Sequence, residues 1–96
     1  MSTDHREAAQ SHVNTLITLL KALPAGDTRD RLIAECESLV VAIRAFHMEG
    51  IRFRMFNVDR LLGHAAADAT ARTAFTDARR ELEAAGFHTR SHQAPS

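Results

Sequence analysis

Between Asp27 and Leu62 the apolar residues return at helical intervals, and the stretch holds no proline and a single glycine, Gly50. At 100° per residue, Leu32, Cys36, Leu39, Val40, Ile43, Phe46 and His47 fall within roughly a third of a helix circumference, the width of a core-facing stripe. After Gly50 the set Ile51, Met55, Val58 and Leu62 is spaced four, three and four, which is helical again. The two stripes are out of phase. Continuing the first in register puts Arg54 and Asn57 at its centre, whereas the second is centred roughly 80° further round. Gly50 is the residue expected to absorb that rotation, as a kink or bulge inside one long helix over about 27–62, with a break into two helices as the alternative. No proline, Asn-Gly pair or polar cluster flanks Gly50 to build a loop, so the continuous, distorted helix is the expectation.

The same reading supplies a shorter helix on either side. Asp4 and Glu7 stand at capping-box spacing, and Val13, Leu16, Ile17, Leu20 and Leu23 make one amphipathic face over about 4–23. Pro24 stops that helix, Ala25 and Gly26 turn the chain, and Asp27 or Thr28 is expected to cap the next. Gly63 ends the long helix, and Ala71, Phe75, Ala78, Leu82 and Ala85 repeat at heptad spacing in a last helix over about 66–85, closed by Gly86. Nothing alternates with period two, so the chain is expected to be all-α, one domain over 1–87 with a disordered tail at 88–96.

Helix lengths then imply an assembly. A helix over 27–62 is about 54 Å long and its neighbours about 30 Å, so each short helix covers one half of the long one. An open layer of that kind leaves apolar surface on its spine, and two layers placed face to face complete a four-helix cross-section, so a homodimer is expected. A break at Gly50 instead gives a compact monomeric four-helix bundle. Phe53 and Phe56 sharpen the point, because they lie on a face that neither stripe covers, beside Glu49, Arg52 and Arg60.

Composition narrows the chemistry. Twelve acidic and twelve basic residues leave a formal net charge of zero, which argues against a nucleic-acid or acidic-membrane binder. No apolar run approaches the length of a membrane span and the N-terminal residues are polar, so a cytoplasmic protein is expected. Cys36 is the only cysteine and sits at the centre of the first stripe, where a buried, unreactive thiol is expected. Six histidines raise the question of a metal, yet no Glu-x-x-His or His-Glu-x-x-His pair occurs, and no metal or other cofactor is expected.

No Ser-His-Asp ordering, P-loop or glycine-rich dinucleotide turn is present either, so the expectation is a non-catalytic interaction module, a dimeric adaptor or regulator that binds another protein. The residues expected at the partner or dimer interface are Phe46, His47, Gly50, Arg52, Phe53, Arg54, Met55, Phe56 and Arg60, since aromatic and Arg side chains dominate protein contacts. The alternative is a signalling bundle of the histidine-phosphotransfer or ligand-sensing type, with His47 as the working group. That family's signature has a basic residue and then glycine at the fourth position after the histidine, whereas here Glu49 and Gly50 occupy the second and third. His47 is instead expected to be at least half buried among Val40, Ile43 and Phe46.

Overall fold

The computed structural model describes residues 2–65 and 69–87, with side chains from His5 onward. The cap expected of Asp4, the start of the last helix at 66 and the disorder expected of 88–96 fall outside those descriptions. The described chain is all-helical, in the order α1 (Ser2–Lys21), α2 (Asp27–Ala45), α3 (Met48–His64) and α4 (Ala69–Ala84). No single helix runs over 27–62. The expected spine is two helices of 19 and 17 residues, and the break lies at Phe46 and His47, not at Gly50.

Two hydrogen-bonding devices, back to back, make that break. Phe46 takes a left-handed conformation, φ 50° and ψ 46°, which turns the chain out of α2. The Phe46 N–H then donates to Ile43 O at 2.9 Å and the His47 N–H to Ala42 O at 3.0 Å, the two bonds that close a Schellman motif. His47 opens α3 at once: its Nδ1 accepts from the Gly50 N–H at 3.1 Å, and its carbonyl accepts from the Ile51 N–H at 2.9 Å. One residue thus serves the end of one helix and the start of the next. Gly50 is an ordinary helical residue in the first turn of α3 and carries no positive φ.

The turn between α1 and α2 also differs from expectation. Gly26, with an extended backbone, precedes α2 and supplies no side-chain cap, while Asp27 and Asp30 lie in the first turn, where negative charge favours the helix dipole. Arg29 reaches back to donate to Leu23 O at 3.1 Å, fastening the connection. At the other terminus α4 ends as expected at Gly86, φ 107°, through the same pair of Schellman bonds: Gly86 N–H to Glu83 O and Phe87 N–H to Leu82 O.

The break lets the stripes of all four helices face one interior. Val13, Leu16 and Leu20 of α1, Leu32, Cys36, Leu39, Val40 and Ile43 of α2, Ile51, Met55, Val58 and Leu62 of α3, and Ala71, Phe75, Ala78 and Leu82 of α4 are buried in one cluster. Ala9, Leu61, Ala74 and Phe87 join them, and Phe87 is fully buried despite following the last helix. The densest helix pair is α1 with α4, where buried Ala9, Ala71, Ala74 and Ala78 allow close backbone approach; α1 also packs on α2, and α2 on α3. The Cα radius of gyration is 12.8 Å, near the ~13 Å of a compact chain of about 100 residues. An extent of 36 Å leaves no room for a straight helix of about 54 Å. The open layer expected from helix lengths is therefore absent, and with it that reason for a homodimer.

A candidate recognition surface on α3

The buried stripe of α3 leaves its opposite side outward. Glu49, Phe53, Phe56 and Arg60 are spaced four, three and four, fall within roughly 60° of one another, and are all exposed. Phe53 is 57% and Phe56 62% exposed, and with Val41 of α2 they are the large apolar side chains left in solvent among the described residues.

Each border of this strip is tied to a neighbouring helix. Toward α2, Arg54 Nη1 lies 3.0 and 3.1 Å from the two carboxylate oxygens of Glu35, and Asn57 Nδ2 donates to the same carboxylate at 3.3 Å. The Arg54 guanidinium also sits 5.0 Å from the centroid of the Phe53 ring, so a carboxylate on α2 fixes the group that backs an exposed aromatic on α3. Toward α4, Asp59 accepts from Arg72 at 3.0 Å, and Arg52 lies over the Phe87 ring at 5.9 Å while pairing with Glu49 at 3.2 Å. Between these borders runs an apolar centre with an acid at one end and a base at the other.

The residues expected at the interface thus separate. Phe53, Phe56 and Arg60 share the exposed strip; Arg52 and Arg54 form its borders; Met55 is 5% exposed and belongs to the core. Phe46 and Gly50 are half-buried at the α2–α3 junction, where Arg6 of α1 stands 5.3 Å from the Phe46 ring centroid. His47 is exposed, contrary to expectation. The 100° extrapolation that placed it among core residues fails because α2 has already ended at Ala45. In the neutral ring its acceptor role puts the proton on Nε2. Glu49 was legible as a neighbour of the Phe pair but not as the end of the strip, and the ties of Glu35 and Asp59 to other helices carry no local sequence signal.

Two other reactive side chains serve the packing of the helices. Cys36 is fully buried, and burial, reinforced by Glu35 and Glu37, pushes its thiol up to about 12. His5 Nδ1 lies 2.8 Å from Glu81 Oε1, linking α1 to α4. Among the described residues no three His, Cys, Asp or Glu side chains gather as a metal site, and no helix is long and apolar enough to cross a membrane. Comparison of the chain with family models, with curated proteins and with solved structures returns no match.

Proposed function

We propose that this chain is a small non-catalytic interaction module, a dimeric adaptor or regulator, whose working surface is the outward strip of α3. One observation carries the reading: Phe53 and Phe56 stand more than half exposed, one helical turn apart, on the face opposite Ile51, Met55, Val58 and Leu62. Two adjacent exposed aromatics leave unfavourable apolar area in water that a protein surface removes. Arginine beside them adds the second residue type that dominates such contacts. The hold of Glu35 on Arg54, and of Arg54 on Phe53, supports the same reading by reducing the ordering required on binding.

Photo-crosslinking tests it. A benzophenone side chain in place of Phe56 should capture a protein in cells, and the same group at exposed Thr18 of α1 should not. Capture equal at both positions, or at neither, would sink the proposal. Exposure of the His47 ring favours a second reading, phosphoryl transfer, in which the cap to Gly50 opens, the ring proton moves to Nδ1, and the freed Nε2 attacks phosphorus as the leaving group of the donor departs. Acetyl phosphate labelling that disappears in His47→Gln would replace the first reading with the second.

A further inference from the structure

We infer that the α3 strip takes a second copy of this chain, with the two α3 helices antiparallel across a two-fold axis between Phe53 and Phe56. This rests on the reading of that strip as a recognition surface and names its occupant. The strip is self-complementary when reversed: Glu49, Phe53, Phe56 and Arg60, acid then two aromatics then base, at the four, three, four spacing of a helix-packing seam. An isologous interface uses the same patch on both copies, so that where one residue of the first copy meets a second residue of the other, the reverse contact is made as well. With the axis midway between the two phenylalanines, Phe53 meets Phe56 of the second copy and Phe56 meets its Phe53. Glu49 then meets Arg60 and Arg60 meets Glu49, so both ends are charge-complementary at once.

A parallel pairing in register does the opposite, setting Glu49 against Glu49 and Arg60 against Arg60. Electrostatics therefore selects the antiparallel mode. The ends are available for it. The Glu49 side chain is 84% exposed, and its contact with Arg52 is a surface pair one turn away that leaves much of the carboxylate in solvent. Arg60 is exposed on the same strip. The borders do not obstruct it, because Arg54 and Asn57 are drawn toward α2, and Asp59 toward α4.

One helix against one helix covers less than the ~800 Å² per partner of a standard interface, so the dimer is weak, with a dissociation constant in the micromolar range or above. Sedimentation equilibrium over about 5–500 µM should show a shift from 10.6 kDa toward twice that mass. Phe53→Ser with Phe56→Ser should abolish the shift while circular dichroism shows an unchanged fold. Glu49→Arg and Arg60→Glu should each weaken self-association by about tenfold or more, since each places two like-charged pairs in the interface.

The mode is tested by mixing these two variants. The Glu49→Arg chain carries a base at both ends of its strip and the Arg60→Glu chain an acid at both ends. Every end of the mixed pair is then complementary, and a heterodimer as strong as the wild-type dimer to within about threefold should form. A wild-type chain that stays monomeric across the range, or two variants that fail to associate on mixing, overturns the inference. If the chain is monomeric yet crosslinking through position 56 captures a different protein, the second copy is wrong and the recognition surface stands. If neither occurs, both fall.

Discussion

The junction of α2 and α3 makes a quantitative demand on Gly50. In an uninterrupted helix, Gly50→Ala is stabilising by up to about 1 kcal/mol, because alanine loses less backbone entropy on folding. Here Gly50 is the donor to the cap, and a Cβ added to it comes 3.1 Å from His47 Nδ1 and 3.4 Å from Ala42 Cβ. The second distance is ordinary packing; the first crowds the acceptor whose contact with the Gly50 N–H closes the turn. The imidazole is exposed and can swing away, so the change is tolerated, but swinging away removes a cap of about 1 kcal/mol. The two effects nearly cancel, and Gly50→Ala alone should alter stability by about 0–1 kcal/mol in the unfavourable direction. His47→Ala should cost about 1 kcal/mol by itself. With the imidazole gone, nothing opposes the propensity gain, and adding Gly50→Ala should then stabilise by about 0.5–1 kcal/mol. Urea titration of the four proteins isolates the coupling of about 1 kcal/mol, equivalent to several degrees in Tm for a domain of this size. Equal gain from Gly50→Ala in both backgrounds would refute the cap and restore a helix running through residue 47.

Two further outcomes test the same structure. At position 46, Phe46→Gly should be more stable than Phe46→Ala by about 1 kcal/mol in thermal melts, since only glycine relieves the left-handed backbone; within a continuous helix the order reverses by a similar amount. The Cys36 thiol, raised from 9.0 to about 12 by burial, should resist iodoacetamide in the native protein and make stability fall with rising pH. The unfolded chain loses that proton from about pH 9 while the folded chain keeps it to about 12, so the unfolded state binds fewer protons between these values. Stability is intact below pH 9 and declines above it, by an amount on the order of 4 kcal/mol once both states are ionised. The chain has no tyrosine and one lysine to confuse that window, and Cys36→Ala should flatten the slope in urea titrations from about pH 8 to about pH 11.

Within each helix, residue order was enough to find the buried face. Leu32, Cys36, Leu39 and Ile43 follow one stripe, Ile51, Met55, Val58 and Leu62 another, and both lie inside as their 100° periodicity requires. The phase slip between them was equally legible, because it is arithmetic on the same period. Pro24 and Gly86 marked their turns through backbone chemistry that belongs to the residue itself. Phe53 and Phe56 could be named as misfits for the same reason.

What the order of residues did not determine is where the slip is absorbed. Ending α2 at Ala45 requires Phe46 to adopt a left-handed backbone, which costs a non-glycine residue about 1–2 kcal/mol and carries no local signal. That conformation is held by what the fold places around it: the half-buried ring packs on the core beneath Arg6 of α1, and His47 recovers two backbone hydrogen bonds while starting α3. Gly50, the residue with intrinsic freedom to bend, needed none of it. The exposure of His47 and the ties from Glu35 and Arg72 that frame the α3 strip all depend on that one termination. They are contacts between helices, and periodicity along a chain specifies which side of a helix is inside without specifying which other helix meets it.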